Sequence, residues 1–371
     1  MSDGNRQLLP QTRIASIDAL RGFDMFWIIG GGAFFEALPK VWKSPFAETI
    51  KRQMEHASWE GFRFEDLIFP LFLFIVGVVL PFSTSRRLRQ GLSKRAIGLH
   101  IIKRAAILIL LGLIMNGLLR FNLAEMRWPG VLQRIGLCYF FAAYLVMFTG
   151  WRIQTLVTAG LLILYWALLK FVPVPGFGPG VLTPEGCLPA YIDRLLIPGK
   201  FCCFTYGDNE GLLSTIPAVS TVLIGVLAGH WLGSSRSGNI KTVVLIIAGI
   251  VCLIIGCLWG LSFPIIKVIW TSSYVLFAAG WSLVLLAAFY WIIDVRGYGK
   301  WAFFFVVIGA NPITIYFLQG FVNFDGIAGF FVEGLARNTG LFEPLILPIA
   351  ILAAKWLLLL LLYRHRIFFK I

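Results

Sequence analysis

Apolar residues in this chain run in long unbroken blocks separated by short polar stretches. Ten of the blocks approach the ~20 residues an α-helix needs to cross a bilayer: 14–38, 64–82, 97–119, 131–149, 152–171, 213–232, 240–260, 273–294, 301–319 and 343–362. None alternates with period two, which excludes a transmembrane barrel. The pattern predicts an all-α, polytopic integral membrane protein of about ten spans, with residues 1–371 forming a single transmembrane domain. The stretch 320–335 is apolar and Gly-rich and suits a short interfacial or re-entrant piece. The longest polar segment, 172–212, is a Pro- and Gly-rich loop with no room for a separate soluble domain. No internal repeat of the kind that builds inverted-repeat transporters stands out. The first block contains Asp18, Arg21 and Asp24 and lacks a small-residue cleavage pattern, so it reads as a retained span and not as a signal peptide.

Charge predicts the orientation. Arg86, Arg87, Arg89, Lys94 and Arg95 follow the second block with no acid among them, and 233–241 and 295–300 are short and basic. The tail holds Arg364, Arg366 and Lys370. An even number of spans puts these segments on the side of the N-terminus, and the positive-inside rule makes that side cytoplasmic. The loops 39–63, 120–130, 172–212, 261–272 and 320–342 then face outward, giving an N-in, C-in topology with residue 56 outside.

Composition sharpens this. Hydrophobic residues make up 58% and charged residues only 13%, with a mean hydropathy of +0.84, against about 25% charged in soluble domains. The net charge of +14 belongs to the cytoplasmic loops and does not indicate a nucleic-acid partner. Of six cysteines, Cys138, Cys252 and Cys257 lie in apolar blocks as small hydrophobes. Cys187, Cys202 and Cys203 share the long loop, either unpaired or locally paired, or with Cys187 bonded to Cys202 or Cys203. No metal-ligand spacing occurs, so no metal is expected.

Ionisable groups inside apolar blocks are costly and mark a function or a buried pair. Asp18, Arg21 and Asp24 have the spacing for Asp18–Arg21 and Arg21–Asp24 contacts on one helix. Gln133 and Arg134 open the fourth block, as a snorkelling anchor or as the polar wall of a cavity. Asp208, Asn209 and Glu210 precede the sixth block, where capping or recognition of an amino group would each explain them. Asn311-Pro312 predicts a kink inside the ninth block. His100, His230 and His365 sit at block ends or in the basic tail. His56, the remaining histidine, lies in Met54-Glu-His-Ala-Ser-Trp-Glu-Gly-Phe-Arg-Phe-Glu-Asp-Leu-Ile-Phe-Pro70, just before an apolar block and among carboxylates. Imidazole titrates near neutral pH, so His56 is the candidate for proton or acyl transfer.

That window, Arg13-Ile-Ala-Ser-Ile-Asp-Ala-Leu-Arg-Gly22, Gly130-Val-Leu-Gln-Arg-Ile-Gly136, Glu210-Gly-Leu-Leu-Ser-Thr-Ile-Pro217 and Asn311-Pro312 occur in an order that resembles the heparan-α-glucosaminide N-acetyltransferase family, including its bacterial NagX-like members. The resemblance covers essentially the whole membrane region. It implies transfer of acetyl from cytosolic acetyl-CoA to a glucosamine amine across the membrane, with the family's active-site histidine falling on His56. It also implies a homodimer in the lipid of a bacterial inner (cytoplasmic) membrane. The chain departs from the family in lacking the lysosomal member's extra N-terminal luminal region and in reading Gly207-Asp-Asn-Glu-Gly where Asp-Pro-Glu-Gly is expected.

On this reading His56 is a general base or a nucleophile. Asp66 orients it, with Glu55 and Glu60 as competitors. Arg86, Arg87, Arg89, Arg95 and Arg104, with Lys94 and Lys103, form an electropositive mouth for the donor's phosphates, and Gln133 and Arg134 extend the donor site. Asp18, Arg21, Asp24, Glu55, Glu60, Asp208, Glu210 and Asn311 are the candidate acceptor-binding residues. Asn311 and Arg134 are candidate oxyanion donors. Two rivals stay open: an O-acyltransferase of a surface glycan, and a solute or lipid transporter.

Overall fold

The computed structural model describes residues 14–368. Arg13 and Lys370, used above for a motif and for the tail's charge, lie outside them. Fifteen α-helices follow in chain order among the described residues: α1 Ala15–Phe26, α2 Gly32–Val41, α3 Pro45–Gln53, α4 Glu65–Arg89, α5 Lys94–Met115, α6 Val131–Phe148, α7 Trp151–Phe171, α8 Leu188–Leu196, α9 Thr215–Leu232, α10 Gly238–Gly260, α11 Ser272–Tyr290, α12 Phe303–Ala310, α13 Pro312–Leu318, α14 Phe324–Arg337 and α15 Glu343–Arg364. The described strands are β1 (Cys203–Phe204) and β2 (Gly207–Asp208), an antiparallel pair inside the long loop.

Eight described helices are long and apolar enough to span a membrane, and a ninth arises if the bent α12–α13 pair counts as one. Two predicted spans are broken. The block 14–38 is interrupted by a π-helical turn at Trp27–Gly31, where Gly30 sits at φ +116°. Three consecutive glycines (Gly30–Gly32) permit that conformation. Lys355 of α15 then donates to the Ile29 carbonyl at 2.6 Å and to Gln319 Oε1 at 3.3 Å. A backbone group freed at membrane depth needs such a partner. The block 301–319 bends by 59° at Asn311-Pro312, the site of the predicted kink. The stretch 320–335 is mostly the separate helix α14, packed on α15.

Burial sorts the helices. The apolar windows of α4 and α9 are 72% and 67% buried, whereas those of α10 and α15 are 17% and 6% buried despite being more apolar. Apolar surface of that extent belongs against lipid. At the centre, α4 and α9 touch through backbone: a methyl group on Gly77 would lie 1.9 Å from the Val222 carbonyl oxygen, and one on Gly225 2.0 Å from that of Phe74. Small residues allow this close packing where no hydrophobic drive separates helix from lipid.

The loops 39–63, 120–130, 172–212 and 261–272 meet at one end of the bundle. Trp59 Nε1 donates to the Leu182 carbonyl at 2.8 Å, Gly61 N to Ile265 O at 2.9 Å, and Lys200 N to Met126 O at 3.3 Å. At the other end, both carboxylate oxygens of Asp294 accept from the first amides of α1, Ala15 N and Ser16 N, each at 3.0 Å. Cys202 and Cys203 are bonded to each other and Cys187 is buried and free, so neither proposed Cys187 pairing occurs.

Candidate functional site

The segment carrying His56 is folded back on the start of α4. Ser44 caps α3 by accepting from Ala47 N at 3.1 Å, with Pro45 at the first helical position. After α3 the chain turns through residues 54–64, using the left-handed Gly61 (φ +115°), and enters α4. Asp66 lies in the first turn of α4 and is fully buried. One of its oxygens is 3.0 Å from His56 Nδ1. The other accepts from Ala57 N at 3.2 Å and Arg63 N at 2.9 Å. A single carboxylate thus closes the turn and faces the imidazole. With a carboxylate as acceptor, Nδ1 carries the proton and Nε2 the lone pair. Tyr274 of α11 fixes the same residue from below, donating to the Asp66 carbonyl at 2.7 Å.

A third group completes the cluster. Lys267 Nζ lies 2.9 Å from His56 Nδ1, 3.2 Å from Nε2 and 3.5 Å from Asp66 Oδ1. Its loop is pinned by Thr271, whose hydroxyl accepts from Ile266 N at 3.1 Å and donates to the Pro264 carbonyl at 2.9 Å. A β-bridge between Glu60 and Ile266 ties that loop to the His56 segment. Lys267 is 15% exposed and His56 54%, so the lysine forms a wall and the imidazole keeps an open side. Burial pulls the Lys267 ammonium below the usual lysine range, against the opposing pull of Asp66, Glu65 and Glu210.

Beside it lies a second charged cluster. Arg127 is bidentate to the buried Asp208, Nε at 2.8 Å and Nη2 at 2.6 Å, and also contacts Glu210. Asp208 further accepts from Cys202 N and Glu210 N, each at 2.9 Å. Burial would raise the Asp208 carboxyl, but Arg127 and these amides outweigh it and hold it below the ordinary carboxylate value. Asp193 of α8 accepts from Asp208 N at 3.2 Å and Leu212 N at 3.0 Å, and burial lifts its carboxyl to about 6. Arg134, 1% exposed, donates to Gly211 O and Ser214 Oγ and lies 4.9 Å from the Trp270 ring centroid. Trp270 in turn packs edge-on against Tyr274, so both clusters share one wall.

The expected site residues therefore divide into groups. His56 and Asp66 are together. Glu55 instead pairs with Arg63 at 3.3 Å, and Glu60 is held in its β-bridge, so neither orients the imidazole. Asp208 and Glu210 sit at the same end but form an ion-pair network, and Ser214 occupies the cap position of α9 that Asp208 or Asn209 was expected to fill. Asp18 and Arg21 pair at 2.7 Å, and Arg21 also donates to Gly309 O at 2.7 Å, which ties α1 to α12. The Arg21–Asp24 contact does not form: Asp24 is fully buried and its oxygens have no hydrogen-bond partner. Asn311 donates to Ile367 O at 2.9 Å, beyond the end of α15, and so serves the tail and not the imidazole. Gln133 donates to Trp128 O at 3.1 Å, and with Arg134 lies at the His56 end of α6. Arg86, Arg87, Arg89 and Arg95 lie around the α4–α5 turn, with Arg104 farther along α5. The two ends of α4 are ~36 Å apart at 1.5 Å per residue. Lys267 and Arg127 were missed by the sequence reading, as lone bases in loops with no motif around them. A cleft of about 860 Å³ between α2, α14 and α15 contains none of these groups. The convergence of ionisable groups, and not that cleft, locates the site.

The molecule is a polytopic helical membrane protein with an imidazole–carboxylate–ammonium cluster where several loops close over one end of the bundle. Residues 13–259 match the family model described as "Heparan-alpha-glucosaminide N-acetyltransferase, catalytic", and the chain belongs to that family. It is 28% identical to heparan-alpha-glucosaminide N-acetyltransferase of Mus musculus over 423 aligned positions, and 29% identical to that of Homo sapiens over 425. Each alignment covers 97% of this chain and 60% of the relative, so the chain spans well under the full length of the relatives it matches.

Proposed function

We propose that the protein is a transmembrane acetyltransferase that moves the acetyl group of acetyl-CoA to the amine of a glucosamine or α-glucosaminide. The observation that carries this reading is the Asp66–His56–Lys267 cluster, taken with membership of the family. An acceptor amine must lose a proton to become an amide. His56 Nε2, which carries the ring's lone pair because Nδ1–H is engaged by Asp66, is placed to take it. The amine nitrogen attacks the thioester carbonyl and the oxygen gains charge. Lys267 is the nearest cation to meet that oxyanion. The C–S bond then breaks, and the leaving thiolate takes the proton from His56, restoring the site. An acetyl group first carried on Nε2 would make the same demand on the amine.

The donor is a polyanion. The α4–α5 turn offers Arg86, Arg89 and Arg95 as exposed cations, and no carboxylate among the described residues pairs with them. We assign to that turn, on the cytoplasmic face of a bacterial inner membrane, the role of an electropositive mouth that draws in the donor's phosphates, with the donor entering along α4 towards His56. The acceptor then approaches from the loop end, where the exposed Glu60, which no described cation pairs, suits an ammonium.

The test is acetyl transfer from radiolabelled acetyl-CoA by purified protein, with glucosamine and N-acetylglucosamine as parallel acceptors and His56→Ala as control. Transfer to glucosamine that disappears in the variant is the expected result. Labelling of N-acetylglucosamine alone moves the reading to O-acylation. Absence of transfer to either sugar by folded protein defeats it and favours transport.

A further inference from the structure

Lys267 has a second property that the transfer reaction does not use: it is itself a primary amine in the acceptor's position. The proposed chemistry asks of its acceptor an amine within hydrogen-bond reach of His56 Nε2, and Lys267 Nζ meets that requirement at 3.2 Å. The lysine is held there by two acceptors, His56 Nε2 and Asp66 Oδ1, so it cannot easily swing out of the site. Thr271 and the Glu60–Ile266 bridge keep its loop in place. Burial also favours its neutral form, the only form of an amine that can attack a carbonyl.

We infer that Lys267 is a self-acetylation site, modified by the bound donor when no amino-sugar acceptor fills the site. This inference rests on the acetyl-CoA reading above. In the step, Nζ attacks the thioester carbonyl, His56 Nε2 takes the Nζ proton, and the C–S bond breaks. The thiolate leaves with that proton, giving an acetamide on Lys267 and free coenzyme A. The product is a stable amide without charge, so it removes the cation beside His56. Acceptor and lysine therefore compete for one acetyl group, and the enzyme loses activity progressively when donor is abundant and acceptor scarce.

The experiment incubates the purified full chain with radiolabelled acetyl-CoA, with and without glucosamine, and maps the label by peptide mass spectrometry. Hydroxylamine treatment separates a labile acetyl-imidazole from a stable lysine amide. Without acceptor we expect one hydroxylamine-resistant acetyl group per chain on Lys267, absent in His56→Ala and suppressed several-fold by glucosamine. The exposed Lys43 serves as a control for uncatalysed acetylation, which should be equal in parent and variant. Loss of transfer activity should follow Lys267 occupancy, and in Lys267→Arg the peptide carrying position 267 should hold no hydroxylamine-resistant label. Transfer to glucosamine with Lys267 unlabelled, or labelled at the rate of Lys43, overturns the inference and leaves the transferase reading standing. No transfer and no label above the Lys43 background removes both.

Discussion

Replacing Asp66 by Asn isolates the charge on the carboxylate from its shape. Asp66 makes four contacts through its two oxygens, at 3.0 Å to the imidazole, at 3.2 and 2.9 Å to the amides of Ala57 and Arg63, and at 3.5 Å to the Lys267 ammonium. A carboxamide oxygen can keep the two amides, which anchor the turn, so the fold should survive. Its NH2 group then faces Nδ1, and the ring must present a lone pair there and carry its proton on Nε2. That tautomer cannot accept the acceptor's proton. A hydrogen bond to a charged group contributes about 1.5–3 kcal/mol, and each ~1.4 kcal/mol is tenfold in rate, so turnover should fall about 10- to 100-fold. Loss should appear in kcat more than in the KM for either substrate, because the buried Asp66 meets neither. The assay is initial-rate acetyl transfer in detergent over both substrate concentrations, with thermal unfolding of the same preparations. A kcat within twofold of the parent, in protein of unchanged melting temperature, refutes the assigned role. Asp66→Ala is a poorer probe: it strands two buried amides at about 1–3 kcal/mol each and mixes folding with chemistry.

Arg127→Met should destabilise the loop end by about 3 kcal/mol, the lower end of the range for breaking a buried pair because Arg127 keeps some exposure, read as a lowered melting temperature. The Asp208 carboxyl is held below its ordinary value, so its contribution is full above the unfolded pKa of about 4 and is lost as pH falls through the lower folded value. The parent should lose stability over that acid range more steeply than the variant. Gly77→Ala forces a methyl to 1.9 Å from the Val222 carbonyl and should abolish folded expression, whereas Gly160→Ala, with nothing within 4 Å, should be silent. Cysteines placed in 86–95 and in 180–200 should react with an impermeant thiol reagent from opposite faces of sealed vesicles, and reaction from one face would overturn the topology.

Features carried by contiguous residues were legible in the sequence, while those made by tertiary approach were not. Hydrophobic blocks located the long helices because a bilayer demands length and apolarity from each segment alone. The break at Gly30 escaped because its support, Lys355, comes from a helix 325 positions away in the chain (355 − 30). Of the candidate site, the His56–Asp66 pair was readable because the nine residues between them (57–65) are a single turn. Asp18, Asp208 and Asn311 drew notice for being polar near apolar blocks, yet each proved to have a structural partner in Arg21, Arg127 or the Ile367 carbonyl. Polarity at depth marks an energetic demand, and a neighbouring residue can meet that demand as well as a ligand can. Lys267 is the converse case. In Phe263-Pro-Ile-Ile-Lys-Val-Ile-Trp270 it reads as one more interfacial lysine, and only the loop pairing at Glu60–Ile266 carries its amine to His56. The amine that lies against the imidazole is thus the one whose sequence surroundings said least.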